Sequence, residues 1–388
     1  MFTNQSAERP ATTADNKRVP FNDLAIQWRE IRDEVTREFE EVFARSAFSS
    51  GPFVKSFENE MAAYLGTKHA VAVNSGTSAL HLAMAAAGIG PGDEVLVPAH
   101  TFIATLWGVL YVGATPVLCD VDDATGTIDA DAAAGRITPR TKAIIPVHIY
   151  GQPADMEAVN KLAVRHSLLV VEDNAQAIGA RWNGKALGTI GQIGCFSFYP
   201  GKNLGAAGEG GLVCTDDDTL AERVRVLHNH GQSERYTHIE IGFNYRMDGL
   251  QAVVLRHKLR RLDDWTSRRK SLAQRYQAGL SGLPLKVPAV QNQDHVWHLF
   301  VVRTPLRDEL RTHLQQADIE TGLHYPIPCH RQPCFQHLAL AGDAYPHSDL
   351  WASEGLSLPL FYGMTEAQVD RVVREIRRFY ARGEAISV

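Results

Sequence analysis

Between residues 70 and 215 the sequence repeats one pattern, in which a short apolar run ends in Gly, Pro, Asp or Asn and a helix-like segment follows. Successive runs begin roughly 15 to 28 residues apart, the length of a strand plus a crossover helix. The runs are continuously apolar, which is typical of parallel strands covered on both faces. The pattern predicts a three-layer α/β/α domain with a mostly parallel sheet, whose strands are HAVAVN (from His69), EVLVP (Glu94), TPVLCDV (Thr115), AIIPVHIYG (Ala143), LLVVED (Leu168), IGCFSFYP (Ile193) and GGLVCT (Gly210).

Helical segments flank this region. Residues 23–45 place apolar side chains close to helical spacing, at Leu24, Ile31, Val35, Phe39 and Phe43, so we expect a packed amphipathic helix. After residue 250 the chain predicts one long helix or two, rich in basic residues that we interpret as a solvated face. WHLFVV and the terminal TEAQVDRVVREIRRFYAR then indicate a small α+β domain. The predicted parts are a disordered tail at 1–19, a large domain at 20–265 and a small C-terminal domain at 266–388.

Charge and composition limit the classes of binding partner and the cellular compartment that we expect for this chain. The 388 residues include 39 Lys and Arg against 44 Asp and Glu, a formal net charge of −5. No basic run stands out, so we expect no nucleic acid. No apolar run approaches the ~20 residues of a membrane span, and the polar N-terminus lacks the apolar core of a secretory signal. The five cysteines are odd in number and lack zinc-knuckle spacing, so reduced thiols in the cytoplasm are the simplest interpretation.

Three polar segments follow the carboxyl ends of three different predicted strands, where open α/β sheets bind their ligands. In the first, VNSGTSALHLAM, residues Ser75, Gly76, Thr77 and Ser78 lead from a strand into a helix. The glycine lets the backbone approach an anion, and the helix N-terminus offers free N–H groups, so a phosphate would fit. An ordinary helix N-cap explains the same residues.

The second segment, LVVEDNAQAIGA, ends a buried strand with Glu172 and Asp173. A carboxylate at that depth needs a partner. A cationic ligand nitrogen would supply one, and a helix N-cap or an ion pair with an arginine are the alternatives.

The third segment, GCFSFYPGKNLGAAGEGG, places Lys202 in a glycine-rich turn among aromatic residues. A desolvated lysine has a lowered pKa and is a usable amine nucleophile. A surface lysine is the usual occupant of such a turn, but the aromatic neighbours argue against it. The run is not a P-loop, because Phe196 and Asn203 stand where GxxxxGK[ST] requires Gly and Ser or Thr.

A phosphate cradle, an acid at a strand end and a buried lysine together form the set that pyridoxal phosphate (PLP) requires. In that set Lys202 holds the aldehyde, Asp173 keeps the ring nitrogen protonated, and residues 75–78 hold the phosphate. The sequence therefore predicts PLP as the cofactor.

At these residues the chain resembles the sugar aminotransferases of the DegT/DnrJ/EryC1/StrS family, which have the fold of aspartate aminotransferase (PLP transferase fold type I). The matching stretches run in family order from about Pro20 to beyond Gln251, and the C-terminal part matches more loosely. They include SGPFVKSFENEMAAYLG, AVNSGTSALHLAM, GDEVLVPAHTFIAT, VEDNAQAIGA, FSFYPGKNLGAAGEGG and GFNYRMDGLQA.

The resemblance implies a role for each matching residue. Lys202 is the lysine that binds the cofactor and shuttles protons, and Asp173 is the partner of the pyridine nitrogen. A core position for Phe102 and a turn position for Asn244 are the alternatives to cofactor binding. The resemblance implies phosphate contacts from Ser75, Gly76, Thr77 and Ser197, a place near the 3-hydroxyl for Gln176, and stacking of Phe102 on the ring. It also implies that Asn244 reaches the phosphate of the partner subunit's cofactor. A homodimer with shared active sites follows from this last contact.

The implied reaction is a ping-pong transamination, with L-glutamate as amino donor and a keto-deoxysugar on a nucleoside diphosphate as acceptor. Tyr199 stands where 4-keto enzymes often have His, and Ile178 stands where many members have His. We therefore favour a 3-keto sugar, such as a dTDP-3-keto-6-deoxyhexose. The candidate substrate contacts are Tyr199, His324 and Tyr325, although an HY pair is more often structural.

Several other functions share part of this residue pattern. A 4-keto nucleotide-sugar aminotransferase would have the same general site. A PLP-dependent sugar dehydratase would use His in place of the lysine, and Lys202 argues against it. A non-catalytic PLP-binding regulator would normally carry a DNA-binding segment, and only a short polar tail precedes Pro20. No GxGxxG follows a strand, which disfavours a Rossmann module. The HNH at His228–His230 follows a helical stretch with no second ligand cluster, so we expect no metal site.

Overall fold

The computed structural model describes residues 18–288, 294–338 and 344–384. Most of the predicted tail at 1–19 therefore lies outside the described residues. Val19 is described: it is buried, and its N–H donates to the carbonyl of Asp318 at 2.8 Å.

The described strands form one large sheet and three two-stranded ribbons. The sheet has the order β1-β9-β8-β5-β4-β2-β3, and the ribbons pair β6 with β7, β10 with β11 and β12 with β13. The bounds are β1 His69–Val73, β2 Glu94–Pro98, β3 Thr115–Cys119, β4 Thr141–Ile144, β5 Leu169–Asp173, β6 Arg181–Trp182, β7 Lys185–Ala186, β8 Ile193–Ser197, β9 Gly211–Thr215, β10 Gln232–Glu234, β11 Thr237–His238, β12 Phe300–Arg303 and β13 Gly355–Leu358.

Helices precede, connect and follow these strands. Short 3-10 turns lie at Ile149–Gly151, Cys329–Arg331 and Pro333–Leu338. The α-helices are α1 Leu24–Ala44, α2 Gly51–Leu65, α3 Gly76–Ala86, α4 Ala104–Leu110, α5 Ala130–Ala134, α6 Met156–His166, α7 Asp218–Leu227, α8 Gly249–Leu259, α9 Leu262–Leu280, α10 Arg307–Gln316, α11 Pro346–Glu354 and α12 Glu366–Glu384.

The sheet confirms the α/β prediction. A strand lies at each of the seven predicted runs, and β8, β5, β4, β2 and β3 pair in parallel. Alternate residues of one strand enter different cores: Val95 and Val97 pack with α3 and α4, whereas Leu96 packs with α6. The sheet is therefore the middle layer of three.

Two connections differ from the predicted strand-and-helix pattern. β9 runs antiparallel to both β1 and β8, and the connection from Phe198 to Gly210 contains no crossover helix of the kind that joins parallel strands. Between β5 and β8 the chain forms the β6–β7 ribbon instead of a helix.

The flanking helices are present, but some of their residues are not where the sequence placed them. α1 buries Ile31 and Val35 as expected and also Val42, whereas Leu24 and Phe43 are 40% and 59% exposed. The basic segment after residue 250 forms two helices, α8 and α9. The interpretation of its charges as a solvated face was wrong for Lys258 and Arg269, which are buried.

The C-terminal segment has its own apolar core. β12, β13, α9, α10 and α12 surround it, and Leu272, Phe300, Leu310, Leu356 and Val369 are among its members. No helix of the described residues is both long and apolar enough to span a membrane. The division at residues 265 and 266 falls inside α9 and stays a prediction.

Candidate active site

A cavity of about 720 Å³ lies at the carboxyl edge of the large sheet. The ends of β1, β5 and β8 lead into it, and so the three polar segments meet there, as their positions after parallel strands suggested. Of the sequence-predicted site residues, the cavity is lined by Ser75, Gly76, Thr77, Phe102, Asp173, Gln176, Ser197, Tyr199, Lys202, His324 and Tyr325.

The start of α3 forms one wall of the cavity. The Ser75 hydroxyl caps the helix by accepting the Ser78 N–H at 3.0 Å, so the N-cap interpretation holds for this residue. A Cβ on Gly76 would lie 2.7 Å from the Ser197 Cβ, which means that only glycine lets the helix start approach β8 so closely. The wall therefore presents the positive end of an 11-residue helix beside the hydroxyls of Thr77 and Ser197, which is suited to an anion.

Asp173 lies at the end of β5 and is 4% exposed. Its carboxylate accepts the Thr105 hydroxyl at 2.9 Å and the Ala175 N–H at 3.1 Å. No described residue forms an ion pair with it, and no helix begins beside it, so neither alternative from the sequence applies. Burial raises the pKa of this carboxyl, and a cation in the cavity would compensate that cost.

The neighbouring acid, Glu172, points to the other side of the strand. Its carboxylate accepts the N–H groups of Gly188, Ile190 and Gly191 at 2.7–2.8 Å, and His148 Nε2 lies 3.0 Å away. The Ala154 N–H donates to His148 Nδ1, so the proton of a neutral His148 is on Nε2, facing Glu172. Glu172 is thus satisfied within the protein, whereas Asp173 is available to a ligand.

Lys202 sits in the turn after β8, where its N–H donates to the Tyr199 carbonyl at 2.8 Å. Its side chain is partly buried and lines the cavity. Burial lowers the pKa of its amine to about 8, against an opposing effect of the Asp173 charge. An amine in this state is a neutral nucleophile and base over part of the physiological pH range.

Aromatic and amide side chains complete the walls. Phe102 is 49% exposed and therefore not a core residue, and its ring centroid is 5.4 Å from that of Tyr325. Gln176 donates to the Tyr325 hydroxyl at 2.9 Å and accepts the Tyr150 N–H. His324 pairs with the Ser357 hydroxyl at 2.9 Å, and burial lowers its pKa to about 4, so it is neutral at physiological pH.

Asn244 is the one predicted site residue outside this cavity. It is exposed, its backbone pairs with Asn229, and its carbonyl accepts the Asn74 side-chain amide at 3.4 Å. Asn74 directly precedes the cap of α3. Asn244 therefore lies near the wall formed by α3 but does not line the cavity of its own chain.

Comparison with known proteins places this site in a family. The model of the DegT/DnrJ/EryC1/StrS aminotransferase family matches residues 29–377. The chain belongs to this family. It is 46% identical to a Streptomyces venezuelae protein named dTDP-3-amino-3,4,6-trideoxy-alpha-D-glucose transaminase, over 96% of this chain and 99% of that protein.

Two solved structures support the assignment. S. venezuelae DesV in complex with a ketimine intermediate matches with a TM-score of 0.92 and 46% identity, covering 94% of this chain and 98% of that one. A Bacillus subtilis protein, NtdA, solved with bound cofactor PMP, matches with a TM-score of 0.89 and 33% identity, covering 94% and 86% respectively. The α/β fold predicted from sequence is thus that of a DegT/DnrJ/EryC1/StrS aminotransferase.

The cofactor of this aminotransferase is PLP, and the residues on the cavity wall fit it. The cradle at Gly76 suits a phosphate. Asp173 is a buried carboxylate without a cationic partner among the described residues, which suits a protonated ring nitrogen. Lys202 is a desolvated amine, which suits an aldehyde. The described residues hold no group of three or more His, Cys, Asp or Glu that could bind a metal, and His228 Nδ1 pairs with the Arg225 carbonyl instead.

Sequence reasoning missed several residues of this aminotransferase site. Thr105, which holds Asp173, and His298 and Arg269, which line the cavity, were not singled out. Asn203 donates to the Val296 carbonyl at 2.9 Å and so turns its own oxygen to His298 Nδ1 at 3.3 Å. His298 therefore carries its proton on Nδ1 and keeps Nε2 as an acceptor. The available signal was that His298 lies two residues before the buried strand β12.

Proposed function

We propose that this chain is a nucleotide-sugar aminotransferase that converts a nucleoside-diphosphate 3-keto-deoxysugar to the 3-amino sugar, with L-glutamate as donor. The observation that carries the proposal is Lys202, a desolvated amine with a pKa near 8 in the same cavity as the Asp173 carboxylate and the start of α3. The name of the S. venezuelae relative supports the 3-position, as does Tyr199 in the loop before the lysine.

Each wall of the cavity has a part in holding the cofactor. The start of α3 at Ser75, Gly76 and Thr77 binds the phosphate together with Ser197. Asp173 would accept a hydrogen bond from the protonated ring nitrogen, whose positive charge would compensate the buried carboxylate. Phe102 would pack on the ring, and Gln176 would contact the 3-hydroxyl. When bound, PLP supplies an electron sink for the charge that develops at the reacting carbon.

Lys202 moves the proton. Its neutral Nζ accepts the proton from the donor α-carbon and delivers it on the cofactor side, and it reverses the transfer when the keto sugar is aminated. A pKa near 8 makes both directions accessible at physiological pH. The apolar walls, which include Leu80, Trp107 and Ile149, exclude water from this transfer.

Tyr199, His324 and Tyr325 contact the sugar substrate in this proposal. Tyr199 is 55% exposed at the cavity wall, which leaves its ring and hydroxyl available to a ligand. Tyr325 is held by Gln176, so it links the cofactor side of the cavity to the substrate side.

The working enzyme is a homodimer in the cytoplasm. Asn244 lies outside its own chain's cavity and is exposed, as a residue that serves a partner's site must be. Near it the segment at residues 236–241 exposes Tyr236, Ile239 and Ile241 at 63–92%, a surface suited to burial against a second copy. All five cysteines are free thiols, which fits a reducing compartment.

Within each subunit we divide the chain into a large cofactor-binding domain, residues 20–265, and a small domain, residues 266–388. The separate apolar core around Leu272 and Phe300 supports this division. The cavity lies between the two parts, since Lys202 and Asp173 come from the first and His298 and Tyr325 from the second.

Absorbance spectroscopy tests the proposal. The purified protein reconstituted with PLP should be yellow, and L-glutamate should bleach the colour. Lys202→Ala should bind no covalently held PLP and should lose the glutamate-dependent change, whereas Lys185→Ala, at an exposed ribbon position, should behave as wild type. If Lys202→Ala has the same spectrum as wild type, before and after addition of glutamate, the assignment of the lysine is contradicted.

The keto position is tested with amino sugars in the reverse direction. Wild-type holoenzyme should be bleached by nucleoside-diphosphate 3-amino sugars far faster than by the 4-amino isomers. A preference for the 4-amino isomers would support the 4-keto alternative, and equal failure of both sets would reject the proposed substrate class.

A further inference from the structure

Arg269 is a buried cation that no acid among the described residues neutralises. It is 4% exposed, and no described carboxylate lies within ion-pair distance of it. Its Nη1 donates to the carbonyls of Trp297 at 3.2 Å and Leu360 at 2.9 Å. Burial lowers its pKa to about 10, so the surroundings disfavour the charge. A guanidinium held this way stays costly until an anion reaches it.

The uncommitted part of the guanidinium is open to the active-site cavity. Nε and Nη2 form no hydrogen bond with the described residues, and neither is among the fully enclosed polar atoms. Arg269 lines the cavity with His298 and Leu360. Burial lowers the pKa of His298, and the charges of Lys202 and Arg269 lower it further. Arg269 therefore presents free N–H donors at the wall of the cavity that Lys202 also lines.

We propose that Arg269 binds the α-carboxylate of the amino donor, an inference that rests on the proposed transamination. Among the residues described along the cavity, Lys202 and Arg269 are the cationic side chains, and Lys202 is committed to the cofactor. The donor must bring a carboxylate into this space. A planar guanidinium with Nε and Nη2 free offers two parallel donors, the arrangement that a carboxylate accepts best.

The position in the cavity favours the donor's carboxylate over the diphosphate of the sugar nucleotide. The α-carboxylate is bonded directly to the carbon that loses its proton to Lys202, so it must lie deep in the cavity. The diphosphate is attached to C1 of the sugar and is separated from a reacting C3 by the intervening ring carbon. Arg269 is 4% exposed and lines the same cavity as Lys202, which suits an anion that enters deeply more than one that stays at the nucleotide end.

Half-reactions of the holoenzyme separate the two substrates. We expect Arg269→Gln to raise the glutamate concentration for half-maximal bleaching by about 10- to 100-fold. Bleaching by the nucleoside-diphosphate amino sugar, which lacks an α-carboxylate, should change by less than about threefold. Inhibition by 2-oxoglutarate should weaken in parallel with glutamate. Arg269→Lys should show a smaller glutamate defect, because a lysine cannot donate two parallel hydrogen bonds.

Controls distinguish binding from structure. Arg275→Gln lies on the same helix but is exposed and paired with Asp370, and it should leave both half-reactions unchanged. Should Arg269→Gln fail to fold, Arg269→Lys carries the test. Equal losses in both half-reactions, or no loss in either, would overturn the inference. If glutamate does not bleach the wild-type holoenzyme, the proposed amino donor is wrong. If wild type is bleached and Arg269→Gln is bleached equally well, the donor stands and only the role of Arg269 is wrong.

Discussion

Two opposing effects set the charge of Lys202. Removal from water disfavours the ammonium, and the negative charge of Asp173 favours it. The net result is a pKa near 8, below the ordinary 10.5. Because only the neutral amine attacks an aldehyde or accepts a proton, chemistry at Lys202 should follow the neutral fraction.

The reaction of the apoenzyme with PLP should therefore speed up with rising pH through a midpoint near 8. In Asp173→Asn the midpoint should move to lower pH, because the carboxylate that stabilises the ammonium is gone. Stopped-flow absorbance from about pH 6 to 10 measures both midpoints, with Nα-acetyl-lysine and its midpoint near 10.4 as the reference. A wild-type midpoint close to that of the free lysine would contradict a desolvated Lys202.

Individual residues were predictable where backbone position determined their surroundings. Asp173 ends one buried strand and Lys202 lies in the turn after another, so their place at the edge of a parallel sheet follows from the sequence. The burial of Arg269 was not predictable, because α9 is rich in basic residues and no local pattern distinguishes the basic side chain that packs inward. Its burial depends on Trp297 and Leu360, which lie far away in the sequence.

Strand β5 presents two adjacent acids to opposite sides, and they should respond differently to loss of charge. Glu172 is hydrogen-bonded to three backbone N–H groups and to His148. The Asp173 carboxylate accepts two hydrogen bonds and has no cationic partner among the described residues. One acid therefore stabilises the fold, and the other is held at a cost to the fold.

Substitution of each acid by its amide separates these contributions. Glu172→Gln should lower the free energy of unfolding of the apoenzyme by about 2–4 kcal/mol, because the new NH₂ group faces backbone donors. Asp173→Asn should raise it at neutral pH. The folded pKa of Asp173 lies above its ordinary value, so the folded state loses stability as pH rises from that ordinary value through the raised one, and asparagine removes the loss.

Thermal unfolding of both apoenzymes at neutral pH checks the two signs. PLP should stabilise Asp173→Asn less than wild type, because the ring nitrogen loses its partner. A destabilised Asp173→Asn apoenzyme would show that the carboxylate is a structural group like Glu172.

Elements were predictable where apolar runs were continuous, and less so where a connection lacks the expected crossover helix. Seven strands lie where the sequence placed them. β9 reverses direction after the loop at residues 198–210, which holds Lys202 and contains no crossover helix. A Cβ added to Gly211 would lie 2.3 Å from the carbonyl oxygen of Ser75, so β9 packs closely against the start of α3. This contact between β9 and the start of α3 is nonlocal, and strand patterns do not report it.

At the scale of the whole molecule, the decisive question is which cavity Asn244 serves. It sits beside the start of α3 through its contact with Asn74 but outside the cavity of its own chain. Only the family resemblance assigned it to a partner's cofactor, since no periodicity or composition reports an intermolecular contact. A shared site makes a specific prediction about mixed dimers.

Lys202→Ala and Asn244→Ala should each impair the homodimer, and a mixture of the two should regain activity. In a mixed dimer the Asn244→Ala chain keeps its own Lys202 and receives Asn244 from its partner, so one of two sites is intact. Random mixing of equal amounts should restore about a quarter of wild-type activity. Light scattering should give twice the 42.8 kDa chain mass. If Asn244 served its own chain, every site in the mixture would carry one lesion, and activity would stay at the mean of the two parents.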